Sequence, residues 1–301
     1  MKQNEKKIWS IALVLLAIGL LIGFIGCCIL GFDFRKLDTT EKQTRVYEWS
    51  QEVRSLSVDM NTTDLKILPS EDGKGKVVCH ERENEPHTVS EQEGVLTIRC
   101  ENRRKWYDYI GFTFGKTEVC VYLPQAEYEK LTVDIDTGDV FVASEMIFKQ
   151  GKVETDTGDI TWQAAVTEKL SLSTDTGDIE AKLQSDLADL EMETETGDID
   201  IVDTACANMK IESDTGDVEL KNVVVAGDLR IQTSTGDVEL KDSDGATMFV
   251  KTSTGDVSGR LLRDKTFITR TSTGDVEVPK TQGGICEIVT STGDIEIKIR
   301  K

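Results

Sequence analysis

The sequence predicts an all-β protein whose main body is a single-chain parallel β-solenoid, preceded by one transmembrane α-helix. A Thr-Gly-Asp triplet recurs nine times, residues on both sides of it alternate between apolar and polar, and one early stretch of 25 residues carries no charge. A fixed repeat period in the range of 20 to 50 residues decides the architecture before local patterns do. The repeat is therefore the first guide to the fold.

The triplets are spaced 19 or 20 residues apart, and each is expected to mark one coil of the solenoid. They begin at Thr137, Thr157, Thr176, Thr196, Thr215, Thr235, Thr254, Thr273 and Thr292. In the repeat LRIQTSTGDVEL (229–240), alternate residues are apolar before and after the triplet, which is typical of strands with one buried face. Each repeat thus predicts a strand, a turn, a second strand and a loop, and stacked repeats bury a continuous core.

The glycine and the aspartate of the triplet each have a structural role in this interpretation. Glycine supplies a backbone with positive φ, so the corner turns sharply at the same place on every coil. The structural glycines are Gly138, Gly158, Gly177, Gly197, Gly216, Gly236, Gly255, Gly274 and Gly293. Aspartate is expected to accept hydrogen bonds from N–H groups of the turn. A motif present on every coil does not mark a unique catalytic centre.

Eight of the coils carry a second hydroxyl residue two positions before the triplet threonine. Thr233 and Thr235 share the phase of Leu229 and Ile231, so the alternation predicts that both threonines point inward. Inward threonines would form hydroxyl ladders near the corner. This parity disfavours an outward Thr-x-Thr lattice of the kind that binds ice.

The uncharged stretch, residues 8–32, is predicted to be an uncleaved transmembrane helix. As a helix it spans roughly 37 Å, against roughly 30 Å for the hydrocarbon core of a bilayer. A cleaved signal peptide and lipoprotein processing before Cys27 are the alternatives. With residues 1–7 as a cytoplasmic head and 33–45 as a linker, we expect a single-pass membrane protein with an extracytoplasmic body.

The body is expected to contain two parts, degenerate coils with a cap over residues 46–130 and the regular solenoid over 131–301. The first part contains strand-like runs without the triplet, such as GVLTIRC. A cap is expected because an open coil is an edge strand that invites aggregation. The final strand, IEIKIRK, is expected to end the stack, with Lys298, Arg300 and Lys301 discouraging end-to-end association.

Acidic residues are concentrated in the first half of the solenoid. Residues 131–220 hold 23 Asp and Glu against 5 Lys and Arg, whereas residues 221–301 hold 12 of each. On five coils, the residue before the triplet and the triplet aspartate are predicted to form two acidic columns. The resulting weak candidates for Ca²⁺ are Asp136, Asp139, Asp156, Asp159, Asp175, Asp178, Glu195, Asp198, Asp214 and Asp217. Carboxylate oxygens in number suit Ca²⁺, although the nonapeptide of calcium β-rolls is absent.

The remaining candidate site is an aromatic and basic cluster inside the expected cap. It comprises Arg103, Arg104, Lys105, Trp106, Tyr107 and Tyr109. Such residues either pack over the first coil or contact lipid headgroups, an anionic polymer or a protein partner. A net charge of −20 with a pI near 4.6 disfavours nucleic acid as a partner. With two histidines and no C-x-x-C among seven cysteines, neither a disulfide framework nor a zinc site of the usual kind is indicated.

The iterated T-G-D-[VI] turns resemble those of the bacterial putative-adhesin family, a domain of unknown function. The strand EVCVYLP supports this resemblance, as do the membrane helix and the degenerate rung SLSVDMNTTDLKIL, where Thr63-Asp64-Leu65 replaces Gly-Asp-Val. The likeness covers about residues 46–301. It implies the solenoid fold and carries no catalytic residues to this chain.

These observations favour a membrane-anchored, non-enzymatic interaction or structural module of a bacterial cell envelope. One alternative is a cation-binding or envelope-stress sensing module that uses the acidic coils. A polysaccharide-acting enzyme is less favoured, because it would need paired carboxylates set apart from the repeating columns. The lipid bilayer and an unidentified envelope protein or polymer are the expected partners.

Overall fold

A computed structural model describes residues 9, 13–16, 18–21, 24, 25, 28, 42–49, 52–101, 117–183 and 186–300. Strand makes up 69% of the structure and helix 5%, and the strands form the parallel β-solenoid that the sequence predicts. Within the described residues, no helix is both long enough and apolar enough to cross a membrane. The membrane span over residues 8–32 therefore remains a prediction.

The described residues form 24 strands. The first seven are β1 (Lys42–Glu48), β2 (Ser55–Thr62), β3 (Asp64–Pro69), β4 (Lys76–Arg82), β5 (His87–Gln92), β6 (Val95–Cys100) and β7 (Glu118–Leu123). The regular coils contain β8 (Glu127–Thr137), β9 (Val140–Val142), β10 (Ile147–Thr157), β11 (Ile160–Trp162), β12 (Ala165–Thr176), β13 (Ile179–Lys182), β14 (Asp186–Thr196), β15 (Ile199–Val202), β16 (Ala205–Thr215), β17 (Val218–Lys221), β18 (Val224–Thr235) and β19 (Val238–Lys251). The last five are β20 (Val257–Leu261), β21 (Lys265–Arg270), β22 (Val276–Glu277), β23 (Gly284–Val289) and β24 (Ile295–Ile299).

Each coil contributes one strand to each of two parallel sheets, which we call the long-strand and short-strand sheets. The long-strand sheet contains β8, β10, β12, β14, β16 and β18, and the short-strand sheet contains β9, β11, β13, β15 and β17. Strand β19 begins in the short-strand sheet and continues into the long-strand sheet. Equivalent residues stack in register, so Val153 lies between Val133 and Leu172.

The core lies between the two sheets and is filled by the apolar residues of the alternating pattern. Near the first regular coils, Phe148 packs between Tyr128 and Trp162, with ring centroids 5.7 and 5.8 Å apart. Aromatic side chains are among the largest contributors of buried apolar surface. At the other end of the solenoid, Cys286 is fully buried and serves as a small core residue.

At the N-terminal end, the order of coils in space differs from their order in the chain. The coil made by β2 and β3 lies between the coil of β6 and β7 and the coil of β8 and β9. Strands β4 and β5 pair antiparallel with β7 and β6, and β1 pairs antiparallel with β4. These antiparallel strands cover the end of the parallel stack.

The C-terminal end shows the same interleaving, and the expectation that IEIKIRK ends the stack is wrong. Strands β23 and β24 lie between the coil of β19 and β20 and the coil of β21 and β22. The last coil in the sequence is therefore internal, and β21 and β22 form the edge. Buried Lys265 on β21 forms an ion pair with buried Asp244, which ties the outer coil to the coil two places inward.

The corner glycines bring the backbones of neighbouring coils very close together. All nine triplet glycines have φ between 144° and 156°, a region that other residues rarely adopt. A Cβ added to Gly236 would lie 2.0 Å from the carbonyl oxygen of Gly216 on the adjacent coil. Glycine is thus required both for the local conformation and for the stacking distance.

The two hydroxyl residues before the corner point in different directions. Both were expected to point inward, and this expectation is wrong for the triplet threonine. Thr233 is 5% exposed, whereas Thr235 is exposed, as is Ser234 between them. Strand β18 continues to Thr235, which still pairs with Thr215, but the corner begins at Ser234 and the alternation of side chains ends at Thr233. Most of the buried hydroxyls donate to a glycine carbonyl of the adjacent coil, as Thr252 does to Gly236 at 3.2 Å.

Replacing Gly236 by alanine should destabilise the solenoid, because the new Cβ meets the Gly216 carbonyl and the backbone has positive φ. We expect a loss of about 1–3 kcal/mol in the free energy of unfolding. The exposed control Ser234→Ala should lose less than about 0.5 kcal/mol. Denaturant unfolding of the two variants measures both losses, and equal losses would contradict the assigned corner.

Candidate functional site

The triplet aspartates form a continuous hydrogen-bond ladder along the corner. At each step the backbone N–H of one aspartate donates to Oδ1 of the aspartate on the adjacent coil, over 2.7–3.2 Å. In spatial order the ladder runs through Asp64, Asp139, Asp159, Asp178, Asp198, Asp217, Asp237, Asp256, Asp294 and Asp275. The triplet carboxylates are therefore part of the scaffold. Some of them were predicted as cation ligands, but their Oδ1 atoms accept hydrogen bonds from the adjacent coil.

The acids that precede the triplets form a separate column on the outside of the long-strand sheet. Asp136, Asp156, Asp175, Glu195 and Asp214 are all exposed. Two residues earlier, a second column contains Asp134, Glu154, Ser173, Glu193 and Glu212, paired in register. We call the nine carboxylates of these two columns the acidic face. Its rows follow the stacking of the coils, about 4.8 Å apart.

The ends of the acidic face are occupied by neutral hydrogen-bond donors. Asn61 Nδ2 donates to Asp136 Oδ2 at 2.9 Å, and Ser234 Oγ donates to Asp214 Oδ1 at 3.4 Å. Lysines pair with the second column at two places, Lys152 with Glu154 at 2.8 Å and Lys210 with Glu212 at 2.6 Å. The column from Asp136 to Asp214 is the more weakly compensated of the two.

On the acidic face, burial and neighbouring carboxylates together shift the protonation equilibrium of Asp134. Partial burial, followed by the negative charges of Glu154, Asp59 and Asp136, raises the pKa of Asp134. A raised carboxyl pKa means that the folded state disfavours the charged form. This destabilisation is present above the folded-state pKa and is relieved as the pH falls through it.

A second polar cluster lies buried in the N-terminal part, at residues for which the sequence predicted no site. Glu81 is fully buried and receives Arg45 Nε at 3.0 Å and Gln43 Nε2 at 3.3 Å on Oε1. Its Oε2 lies 3.0 Å from His87 Nδ1. Cys79 lies beside them, and its Sγ, a Glu81 oxygen and a His87 ring nitrogen are all within 4.8 Å of one another. Burial, followed by the charge of Glu81, raises the pKa of Cys79 to about 12.

A sequence signal for this cluster exists in strand β4. Val77 and Cys79 occupy its inward phase, and Glu81 continues that phase. A carboxylate in line with buried apolar residues needs partners, because burying an unpaired charge is costly. The partners of Glu81 lie on β1 and β5. These strands come close to β4 through antiparallel pairing, which the repeat does not predict.

The predicted aromatic and basic cluster, residues 103–109, lies outside the described residues. The structure therefore places neither its rings nor its charges. The structure places the acidic candidates in two columns along the solenoid, as predicted, and the two columns have different roles. The triplet aspartates hold the corner, and the acids before the triplets face outward.

Comparison with known proteins identifies related sequences and folds. The family model described as Toastrack DUF4097 matches residues 53–298, and no curated protein matches the chain. A similar solved structure is a "putative lipid binding protein" from Parabacteroides distasonis, with 13% identity, a TM-score of 0.53, and coverage of 86% of this chain and 98% of that one. A "putative adhesin" from Bacteroides fragilis has 14% identity, a TM-score of 0.45, and coverage of 86% and 97%. At these identities the first likeness supports the fold alone.

Replacement of Asp217 tests the ladder, because its Oδ1 accepts the Asp237 N–H at 2.7 Å. Asp217→Ala should lower the free energy of unfolding by about 0.5–1.5 kcal/mol, the usual contribution of one hydrogen bond. Asp217→Asn keeps an oxygen acceptor and removes one stacked charge, so it should lose less than half as much. Denaturant unfolding of both variants measures the difference. An asparagine variant as unstable as the alanine variant would contradict the hydrogen-bond role.

Proposed function

We propose that this chain, which belongs to the Toastrack DUF4097 family, is a non-enzymatic, adhesin-like interaction module of a bacterial cell envelope. In this proposal residues 8–32 anchor the protein in the membrane and the solenoid stands outside the cell. The acidic face is the surface that contacts the partner. The partner is an extended cationic segment, such as a Lys-rich or Arg-rich stretch of another protein.

The observation that carries this proposal is the regular outward stacking of carboxylates on the long-strand sheet. Five consecutive coils place an exposed acid at the same position, from Asp136 to Asp214. A partner with regularly spaced cations can pair with several of these acids at once and relieve their mutual repulsion. Linked weak contacts add up to a useful affinity even though each exposed ion pair contributes little.

The arrangement of the titratable groups supports a binding role over a catalytic one. A catalytic pair of carboxylates needs two acids in different environments, so that one is protonated and the other charged. In the column from Asp136 to Asp214 an exposed acid recurs on every coil, and the triplet aspartates are held in equivalent hydrogen bonds. Such equivalence suits repeated contacts with an extended partner.

The acidic face is tested with a five-serine variant in which Asp136, Asp156, Asp175, Glu195 and Asp214 become serine, the residue that the later coils carry. Binding of a fluorescent poly-lysine peptide to the full chain in neutral detergent is the measurement. We expect the variant to bind at least about fivefold more weakly, since five exposed ion pairs of about 0.2–1 kcal/mol each contribute at least about 1 kcal/mol together. In low salt the variant should also unfold at a higher temperature, because like-charge repulsion is removed.

The matched control changes the net charge by the same amount away from the acidic face. It replaces five other exposed acids by serine: Glu127, Glu129, Glu145, Glu168 and Asp189. This control should retain most of the affinity. If the control and the five-serine variant lose affinity equally, net charge alone attracts the peptide and the acidic face is not the binding surface.

The same pair of variants tests Ca²⁺ as the alternative ligand of the acidic coils. A ligand that prefers the folded state raises the thermal midpoint by mass action. At constant ionic strength, a Ca²⁺-specific rise that the five-serine variant alone loses would favour cation binding over a cationic partner. Equal midpoints in Ca²⁺ and matched NaCl would rule out the Ca²⁺ alternative.

The membrane topology gives a further prediction. Because residues 8–32 are expected to anchor the chain with the body outside, protease treatment of intact cells should release a fragment that begins after residue 32. Immunodetection of the released fragment, with a cytoplasmic protein as the lysis control, is the measurement. A body that is digested only after the cells are lysed would contradict the proposed orientation.

A further inference from the structure

We infer that Cys79, Glu81 and His87 form a binding site for a transition-metal ion, and that Zn²⁺ is the ion that fits them best. The site lies in the N-terminal part of the solenoid and is separate from the acidic face. Its ligands are one thiolate, one carboxylate oxygen and one imidazole nitrogen. These three donor types are those that protein zinc sites use.

Local structure places the three side chains at one point. Cys79 and Glu81 are two residues apart on β4, so both point to its inward side. His87 is the first residue of β5, and its backbone N–H donates to Glu81 Oε2. A buried ion pair, Arg82 with Glu85 at 3.1 Å, braces the turn between the two strands.

The distances are close to those of a metal centre. The three donor atoms lie within 4.8 Å of one another, and the pair formed by His87 Nδ1 and Glu81 Oε2 is at 3.0 Å. Ligand atoms around a tetrahedral Zn²⁺ lie roughly 3.3–3.8 Å apart, given bonds of about 2.0–2.3 Å. Shifts of about 1 Å in the side chains would place all three atoms on one ion.

Hydrogen bonding on the far side of the imidazole favours a cation at Nδ1. Thr117 donates its hydroxyl proton to the Thr62 carbonyl at 2.6 Å, so Thr63 is the donor in its 3.1 Å contact with Thr117. The Thr63 oxygen is then an acceptor for His87 Nε2–H, at 3.4 Å. This tautomer leaves a lone pair on Nδ1 that faces the Glu81 carboxylate. Two lone pairs 3.0 Å apart repel unless a cation, a proton or a metal ion, lies between them.

The carboxylate is oriented in the same way. Arg45 and Gln43 bind Glu81 Oε1 at 3.0 and 3.3 Å, so Oε2 is the oxygen on the side of His87. Outer hydrogen bonds of this kind fix the direction of metal ligands in characterised sites. Zn²⁺ bound by one thiolate and one carboxylate is electrically neutral as a unit. The Arg45 guanidinium therefore meets no excess positive charge.

Ligand chemistry separates this site from a calcium site. Ca²⁺ takes six to eight oxygen ligands, whereas this cluster offers one carboxylate beside sulfur and nitrogen. The ligands are almost completely buried, with exposed fractions of 0% for Cys79, 0% for Glu81 and 1% for His87. Zn²⁺ held by these three ligands would join β4 to β5 and leave its fourth tetrahedral position to a further ligand.

The test uses the full chain in detergent, stripped of metal by a chelator and titrated with Co²⁺ as a spectroscopic substitute for Zn²⁺. We expect one Co²⁺ per chain with the thiolate-to-metal charge-transfer absorption of a cobalt–sulfur bond, displaced by Zn²⁺. Zn²⁺ should also raise the thermal midpoint, because it binds the folded state. Cys79→Ser should abolish both effects, and His87→Gln should weaken Co²⁺ binding at least tenfold.

Cys286→Ser is the matched control, since Cys286 is equally buried but lies at the other end of the solenoid. It should bind Co²⁺ like the wild type. The absence of a charge-transfer band in the wild type, or a band that Cys79→Ser leaves unchanged, would overturn the proposal. X-ray absorption of the Zn²⁺-loaded wild type gives a readout that needs no variant to fold. One sulfur ligand is expected, and a zinc ion with no sulfur ligand would overturn the proposal.

Discussion

The close approach of neighbouring backbones at the Thr-Gly-Asp corner is the constraint on which the rest of the structure depends. The carbonyl of Gly216 occupies the place of a side chain on Gly236, and the same contact recurs between adjacent corners. Only glycine permits this distance. The aspartate that follows then uses its carboxylate to accept an N–H of the adjacent coil. The corner thereby pairs, within the protein, backbone N–H groups that would otherwise bond to water.

A fixed corner sets the register of both sheets, and the register determines which side chains form columns on the surface. Because equivalent residues stack, an acid placed before the triplet is repeated as a column, as from Asp136 to Asp214. The like-charge repulsion of such a column is a cost that a cationic partner would relieve. The interleaved ends have a related effect. The coils of β2–β3 and β23–β24 are held on both sides, so neither is the edge of its stack.

The sequence predicts the repeated part of the fold well because each repeat carries its own local signals. Alternation and the glycine corner are visible in any single copy, the period is visible from successive copies, and the column of acids follows from them. The direction of Thr235 is not predicted, because alternation ceases at the corner although Thr235 still belongs to strand β18. Interleaved ends, the Lys265–Asp244 ion pair and the Cys79–Glu81–His87 cluster depend on pairing between distant segments. No local pattern specifies which distant strand becomes the neighbour.

Hydrogen exchange at the corner amides tests most directly whether the solenoid is held together there. Asp237 is exposed, but its amide donates to Asp217 Oδ1 at 2.7 Å, and the amide of buried Val238 donates to the Asp256 carbonyl at 2.9 Å. If the corner ladder stabilises the stack, the Asp237 amide should exchange as slowly as that of Val238, despite its exposed side chain. Exchange as fast as that of the exposed loop residue Lys280 would contradict this account.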